Sequence, residues 1–229
     1  MLYAIGDLHL SFGTDKPMDV FGPAWENYVE RIREGFSLLK PDDVTVLCGD
    51  LSWGMSLESA AEDFRFVDSL PGRKYILKGN HDYWWSTARK MHEMFEQQGI
   101  TTIDVLQNNC FFYGEKALCG TRGWFYEEET HGDAHDKKIM ARELIRLELS
   151  LKAAGDAEEK ICFLHYPPLY GSYMCRDIIA LLKAYGVRRV YYGHIHGYGF
   201  RLAKTGLIDG IEYNMVSADY LGFRPKAIL

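Results

Sequence analysis

Five predicted strands of this chain end in the same way, with a polar side chain of a metal-binding type. Three of these ends are Gly6-Asp7-Leu8-His9, Gly49-Asp50 and Gly79-Asn80-His81-Asp82, and the other two are His165 and Gly193-His194-Ile195-His196. Glycine directly before the polar residue, as in four of the five, suits a sharp turn or a close approach of the backbone. Ligands of open α/β sheets gather beyond the carboxyl ends of the strands. If the five strands are parallel neighbours, these side chains converge.

Short apolar runs alternate with longer segments of helical period. The predicted strands are Leu2–Ile5, Val44–Cys48, Lys74–Leu77, Thr102–Leu106, Cys110–Tyr113, Ala117–Cys119, Ile161–Leu164, Arg189–Tyr192, Gly199–Ala203, Glu212–Val216 and Lys226–Ile228. The predicted helices are Ala24–Leu39, Leu57–Ser69, Ser86–Gln98, Lys137–Ala154 and Arg176–Tyr185. The early alternation predicts parallel strands covered by helices, whereas residues 101–125 predict hairpins or a meander. The pattern is that of a mixed α/β protein with two sheets.

Length and composition restrict the remaining choices. The 229 residues, without a repeat or a low-complexity linker, predict a single domain over residues 1–229. The formal charge of −6 argues against a surface that grips long nucleic acid. It does not exclude an anionic substrate, because bound metal ions invert the local charge. The non-periodic stretches 8–22 and 120–136 are either functional or solvated loops.

The cellular location is predicted from what the sequence lacks and from its cysteines. No stretch approaches the ~18 consecutive apolar residues of a membrane span, and the first residues lack the features of a signal peptide. The five cysteines include no CxxC pair, which favours buried thiols in a reducing compartment over a thiolate zinc site. We therefore predict a cytoplasmic protein without a membrane partner.

The number and type of candidate ligands predict two metal ions. The candidates are Asp7, His9, Asp50, Asn80, His165, His194 and His196. Carboxylate, amide and imidazole groups together suit Mn²⁺, Fe²⁺ or Zn²⁺. One structural zinc takes about four ligands, so seven suit two ions that share a carboxylate. If the backbone is extended at Asp7-Leu8-His9 and at His194-Ile195-His196, the two side chains of each pair face the same way.

The ordered set GDLH, GD, GNHD, a histidine after a strand, and GHIH resembles the motifs of the calcineurin-like metallophosphoesterases. The resemblance runs from Asp7 to His196 and implies an α/β/β/α fold, a two-sheet β-sandwich flanked by helices. It implies that one ion is bound by Asp7, His9 and His196 and the other by Asn80, His165 and His194, with Asp50 bridging both. The implied reaction is in-line attack on phosphorus by a metal-bridging hydroxide. By the same resemblance, His81 contacts the phosphate together with Asn80 and helps the leaving group depart.

Substrate recognition is less constrained. Arg122 could bind a phosphate oxygen in bidentate fashion, or it could form a surface salt bridge with Glu127–Glu129. Aromatic residues next to the motifs could stack on a base or belong to the core. The Asp-Arg pair that follows this motif in protein serine/threonine phosphatases is absent here, where Leu51-Ser52-Trp53-Gly54 follows Gly49-Asp50, and this disfavours phosphoprotein phosphatase activity.

The sequence thus predicts an enzyme that hydrolyses phosphomonoesters or phosphodiesters of a small molecule. A nuclease acting on short or single-stranded nucleic acid is the alternative within the same chemistry. A metallophosphoesterase fold that has lost activity and serves as a binding scaffold is the alternative from another class. It is disfavoured because every candidate ligand position carries a residue able to bind metal.

Overall fold

The protein was analysed as a computed structural model, which describes residues 1–125 and 134–229. Its first large sheet consists of β1 (Leu2–Ile5), β2 (Val44–Leu47), β3 (Arg73–Ile76), β4 (Ile103–Val105) and β13 (Lys226–Ala227). The spatial order is β13-β1-β2-β3-β4, with β1 to β4 parallel and β13 antiparallel to β1. The parallel part confirms the strands predicted from the early alternation.

The second large sheet contains β5 (Cys110–Tyr113), β6 (Lys116–Thr121), β7 (Glu159–Leu164), β10 (Arg189–Tyr192), β11 (Gly206–Ile208) and β12 (Ile211–Met215). Its order is β11-β12-β10-β7-β6-β5. The four inner strands are parallel, and the edge strands β5 and β11 run antiparallel to their neighbours. The predicted hairpin is the β5–β6 pair. A small hairpin of β8 (Leu169–Tyr170) and β9 (Tyr173–Met174) follows β7.

Helices cover the outer face of each sheet. The helices are α1 (Tyr28–Phe36), α2 (Ala61–Ser69), α3 (Ala88–Gln98), α4 (Ala134–Ala153) and α5 (Arg176–Ala184), and short 3-10 helices span Met18–Phe21, Pro23–Trp25 and Gly197–Arg201. The first three helices pack on the first sheet and the last two on the second. A third apolar layer lies between the sheets, where Leu2, Tyr75 and Phe163 meet. The predicted α/β/β/α sandwich is therefore confirmed.

Two predicted elements differ from the structure. The predicted strand Gly199–Ala203 is wrong, because the chain forms the 3-10 helix Gly197–Arg201 there, with Gly197 in the left-handed region at φ +52°. The predicted helix Ala24–Leu39 is interrupted at Asn27, which has φ +53°. Helical residues cannot keep the regular hydrogen-bond ladder through a left-handed position.

The two sheets meet at the end where the candidate ligands lie. Ligand-bearing strands β1, β2 and β3 belong to the first sheet, and β7 and β10 to the second. The five strands are therefore not all neighbours in one sheet, and their polar ends converge because the two sheets meet at this end. Just beyond β1, the Gly6 amide donates to the carbonyl of Val216 (2.7 Å), and the Ala218 amide donates to the carbonyl of Gly6 (3.0 Å). These bonds form a parallel bridge between Gly6 and Ser217 that joins the sheets.

Two further observations concern the limits of the chain's elements. Within the described ranges, no helix has both the length and the apolar character required to cross a bilayer.

The predicted loop 120–136 falls partly outside the described residues: its segment 126–133 is not described, and α4 already begins at Ala134.

Candidate metal centre

Asp7, His9 and His196 form one cluster of potential ligands. Their nearest donor atoms all lie within 4.8 Å of one another. The Nε2 atoms of His9 and His196 are 3.4 Å apart, and Nε2 of His196 is 3.8 Å from Oδ1 of Asp7. Three ligands held at about 2.1 Å from one ion are separated by about 3.0–3.4 Å. The cluster is thus close to the size that a single cation requires.

A second cluster gathers around the side-chain oxygen of Asn80. Oδ1 of Asn80 lies 2.6 Å from Nε2 of His165 and 2.9 Å from Nδ1 of His194. These three residues come from β3, β7 and β10, and so from both sheets. The two histidines two residues apart, His194 and His196, therefore serve different clusters.

Asp50 lies between the clusters. Its Oδ2 atom is 3.8 Å from Nε2 of His9 and 3.5 Å from Nε2 of His165. Asp7 is also near His165, with 3.7 Å between Oδ1 and Nδ1. That nitrogen, however, lies 3.0 Å from the carbonyl oxygen of Cys48, to which it must donate. Asp7 therefore approaches His165 only at a nitrogen that is already hydrogen-bonded. Asp50, by contrast, lies near the Nε2 atom of one histidine in each cluster, and these nitrogens are free to bind a metal ion.

Hydrogen bonds on the far side of two rings fix which nitrogen is available. Nδ1 of His165 donates to the carbonyl of Cys48 (3.0 Å), and Nδ1 of His196 donates to Oδ1 of Asp219 (2.9 Å). A neutral imidazole has one N–H, so in its neutral form each ring presents an unprotonated Nε2 to its cluster. Such outer partners are the usual means of orienting a histidine that binds metal.

The backbone at the centre adopts a conformation that the sequence did not predict. Asp7, His9, Asp50 and His194 all have positive φ, between +47° and +73°. The condition of an extended backbone is therefore not met at Asp7, His9 or His194. A left-handed residue other than glycine costs about 1–2 kcal/mol. Strain of this kind is concentrated at functional sites, where it places side chains that a regular strand could not.

Two motif glycines are required by close approach. A Cβ atom added to Gly79 would lie 2.0 Å from Oδ1 of Asp50, and one added to Gly193 would lie 2.5 Å from Oδ2 of Asp7. Both distances are far below any van der Waals contact. The absence of a side chain at these positions lets each carboxylate pack directly against the neighbouring backbone.

Asp82, the last residue of Gly79-Asn80-His81-Asp82, binds the two turns that carry Asp50 and Asn80. Its carboxylate accepts hydrogen bonds from five donors: the amides of Gly79, Asp50, Leu51 and Ser52 and the indole of Trp84. Asp82 is fully buried. It ties the turn after β2 to the turn after β3, so Asp50 and Asn80 are held in register with one another.

Sequence reasoning gave no role to Asp82 or to Asp219. A signal for Asp219 existed, because Ser217-Ala218-Asp219 follows β12 as the other candidates follow their strands. No glycine precedes it, and its carboxylate contacts His196 rather than the centre itself. Three of the five donors to Asp82 are about 30 residues away in sequence, so its role in joining the two turns has no local signature.

Burial makes the centre a poor environment for uncompensated charge. It raises the pKa of Asp7 to about 8 and the pKa of Asp50 to about 6. Burial also lowers the pKa of His165 to about 3, which keeps the ring neutral and able to bind metal. Burial likewise lowers the pKa of His9 and His194. Two buried carboxylates beside these three neutral rings are a donor set that a cation would complete, since its charge restores the ionised carboxylates.

His81 lies beside the clusters and belongs to neither. Its amide donates to Oδ1 of Asp50 (2.8 Å), and its ring centroid is 5.8 Å from that of His9 and 4.5 Å from that of Trp53. Nδ1 of His81 is buried and has no hydrogen-bond partner among the described residues. The imidazole is therefore free to meet a group that enters the centre.

Aromatic side chains pack around the first cluster. Trp53 stacks on His9 at 5.0 Å, and Trp25 contacts the rings of His9 and His196 edge-on or tilted at 5.7 and 5.6 Å. Trp25 is buried, whereas Tyr83, next to the GNHD motif, is exposed. The aromatic residues next to the motifs thus divide between packing and surface.

In residues 1–125 and 134–229, the Arg122 side chain has no hydrogen bond or ion pair with a candidate ligand. Its Nη2 atom is 3.4 Å from Oε1 of Glu143 on α4, and its guanidinium lies 4.9 Å from the ring centre of Trp124. Its main-chain carbonyl accepts the amides of His165 and Tyr166. The alternative partners Glu127–Glu129 lie outside the described residues. Its role in phosphate binding stays a prediction.

Comparison with known proteins agrees with this geometry. A family model described as calcineurin-like phosphoesterase matches residues 2–198. The chain belongs to the calcineurin-like phosphoesterase family, whose members are metal-dependent. No curated protein matches the sequence significantly.

Two solved structures share the fold at low sequence identity. The phosphopantetheinyl hydrolase of Mycobacterium tuberculosis is 13% identical, with a TM-score of 0.61 over 100% of this chain and 95% of that chain. A protein of unknown function from Aquifex aeolicus is 15% identical, with a TM-score of 0.51 over 99% of this chain and 94% of that chain. Both are similar to this chain in fold.

Proposed function

We propose that this protein is a phosphohydrolase that cleaves phosphomonoesters or phosphodiesters of a small molecule at a centre of two divalent metal ions. The proposal depends above all on the position of Asp50. Its Oδ2 atom lies 3.8 Å from Nε2 of His9 in one cluster and 3.5 Å from Nε2 of His165 in the other. A carboxylate between two ligand clusters is the arrangement that lets one group serve two ions.

The donor set supports Mn²⁺, Fe²⁺ or Zn²⁺ as the bound ions. Asp7, His9 and His196 would hold one ion, Asn80, His165 and His194 the other, and Asp50 both. Two ions held there would neutralise phosphate oxygens and lower the pKa of a bound water. The buried Asp7 and Asp50 carboxylates and the oriented histidines supply the rigid frame that this chemistry requires.

His81 is proposed as the residue that acts on the leaving group. Its unpartnered Nδ1 and its position next to His9 allow it to donate a proton or a hydrogen bond to the departing oxygen. Asn80, the residue before it, is proposed to contact the same phosphate. Asp50 holds the amide of His81 at 2.8 Å, which couples the general acid to the bridging ligand.

Small-molecule substrates are favoured by charge. A chain with a net charge of −6 has no general attraction for a long polyanion. The likeness to a phosphopantetheinyl hydrolase extends to the fold alone and does not identify the ester. The five free thiols support a reducing, cytoplasmic location.

Metal analysis combined with two chromogenic substrates tests the proposal. Protein loaded with Mn²⁺ should contain two ions per chain and hydrolyse p-nitrophenyl phosphate, bis-p-nitrophenyl phosphate or both. Asp50→Asn should lose metal and turnover together, while Asp42→Asn, on an exposed turn, serves as the matched control. One ion per chain would contradict the shared role of Asp50. Two ions without hydrolysis of either ester would support the binding scaffold.

A further inference from the structure

A small cavity lies beside the metal centre, between the two sheets and α4. Its volume is about 50 Å³. The residues that line it include Lys78, Arg122, Arg146, Glu143, Thr121 and Gln107. Lys78 is two residues before Asn80, and the carbonyl of Arg122 accepts the amide of His165. The cavity therefore adjoins the Asn80–His165 half of the centre.

The lining carries more positive than negative charge. Lys78, Arg122 and Arg146 provide three cationic groups, and Glu143 provides one carboxylate. This excess occurs in a chain whose net charge is −6. Like charges are held together at a cost, which a bound anion would offset.

Glu143 cannot satisfy all the donors around it. Its Oε1 atom accepts from Arg146 (2.6 Å) and lies 3.4 Å from Nη2 of Arg122, and its Oε2 atom accepts from the Thr121 hydroxyl (2.6 Å). The Nε atom of Arg122 is buried and has no hydrogen-bond partner in residues 1–125 and 134–229. A buried donor without an acceptor costs about 1–3 kcal/mol. Arg122 thus keeps one guanidinium N–H that Glu143 does not satisfy.

We propose that this cavity binds a phosphate-sized oxyanion through Lys78, Arg122 and Arg146. Guanidinium groups bind such oxygens through paired N–H donors, and the Lys78 ammonium adds a point charge. The anion is either a second phosphate group of the substrate or free phosphate. The first source depends on the proposed function, and it makes the preferred substrate a compound with two phosphate groups.

Sulfate binding tests the site without relying on activity. Sulfate should stabilise the wild-type protein in thermal unfolding, and Arg146→Gln should weaken its apparent affinity about tenfold or more, the effect of losing a charged hydrogen bond. Arg142→Gln removes the same charge from the exposed face of α4 and should leave the affinity unchanged. Arg146→Lys should retain part of the sulfate affinity that Arg146→Gln loses. Lys78→Gln provides a second, independent variant. Equal affinity in wild type, Arg146→Gln and Lys78→Gln would overturn the proposal.

Inhibition of p-nitrophenyl phosphate hydrolysis separates the two sources. Adenosine 3′,5′-bisphosphate should inhibit at least tenfold more strongly than AMP in wild type, and Arg146→Gln should remove this preference. Sulfate binding that depends on Arg146, without any preference for the bisphosphate, assigns the site to free phosphate. A protein that hydrolyses no ester but still binds sulfate through Arg146 would refute the proposed function and leave the oxyanion site standing.

Discussion

Asp219 accepts a hydrogen bond from Nδ1 of His196 at 2.9 Å, and the opposite nitrogen of that ring lies 3.8 Å from Oδ1 of Asp7. The carboxylate of Asp219 therefore fixes both the tautomer and the direction of a candidate ligand without reaching the centre itself. It also favours the protonated form of the ring, whose Nε2 proton a bound cation would have to displace. Burial lowers the pKa of His196, but the bond to Asp219 and the charge of Asp7 outweigh it and raise the pKa to about 9.

Replacing Asp219 should weaken metal binding without removing a ligand. We expect Asp219→Asn to reduce the affinity of the centre about 10–100-fold, the usual cost of losing an outer partner of a ligating histidine. Competition with a chromogenic chelator measures this affinity. Asp209→Asn, at an exposed ion pair with Lys183, is the matched control and should bind metal as wild type does. Unchanged affinity in Asp219→Asn would show that His196 needs no such support.

Removing His81 should separate chemistry from metal binding. We expect His81→Ala to lower kcat about 10²–10⁴-fold, the typical contribution of a positioned general acid, with metal content close to wild type. His92→Ala, which alters a half-exposed histidine on α3, should have no effect on either quantity. Steady-state kinetics measure kcat, and metal analysis measures the number of ions per chain in both variants. If metal content falls with activity, His81 is a ligand and not the acid.

A methyl group at Gly79 should dismantle the centre. The added Cβ would lie 2.0 Å from Oδ1 of Asp50, so Asp50 or the turn must move. We expect Gly79→Ala to bind metal at least tenfold more weakly and to lose about 1–3 kcal/mol of unfolding free energy, as overpacked sites do.

Gly155→Ala is the control for backbone strain. Gly155 has φ +50°, and an added Cβ would have no neighbour within 4 Å. This variant should lose about 1–2 kcal/mol of stability for its left-handed conformation and retain full metal affinity. Wild-type metal affinity in Gly79→Ala would show that Asp50 is not confined by this contact.

The ion pair between Glu159 and Arg189 should give a pH-dependent contribution to stability. Both oxygens of Glu159 accept from Arg189 at 2.7 Å, and this bond lowers the pKa of Glu159 below its ordinary value of 4.5. A lowered carboxyl pKa stabilises the fold above pH 4.5 and ceases to do so as the pH falls through the folded-state value. We expect Glu159→Gln to cost about 0.5–1 kcal/mol at pH 7, since the pair is partly exposed.

Urea unfolding at pH 7 and pH 4 measures this contribution. The difference between wild type and Glu159→Gln should be smaller at pH 4. Glu158→Gln, which alters a more exposed pair with Lys116, should show little difference at either pH. A deficit in Glu159→Gln that does not change with pH would mean that the variant disturbs packing and not charge.

The strand-end pattern could be predicted from the sequence because its determinants are local. A glycine followed by aspartate or asparagine after an apolar run, as at Gly49-Asp50 and Gly79-Asn80, marks a polar residue at the edge of a parallel sheet. The order of the motifs then identified the family. The assignment of His194 and His196 to different clusters agrees with what the resemblance implied, and the left-handed φ of His194 shows that the backbone there is not a regular extended strand.

Other features of the centre depend on contacts between distant segments. The five donors to Asp82 come from two turns about 30 residues apart in sequence, and no local pattern encodes them. The 3-10 helix Gly197–Arg201 was mistaken for a strand because short apolar runs do not distinguish the two. Left-handed φ at Asp7 and Asp50 is imposed by packing, since neither residue type requires it.

The parallel bridge between Gly6 and Ser217 joins the two sheets at the end where the candidate ligands lie, so metal binding there is linked to the stability of the whole fold. Candidate ligands are contributed by both leaves of the sandwich, so neither leaf alone can assemble the centre. Any cation captured there is a cross-link between the leaves, and its binding free energy adds to the stability of the whole chain as RT ln(1 + [L]/Kd). Chelation should therefore lower the melting temperature of a structure whose apolar layers are all intact.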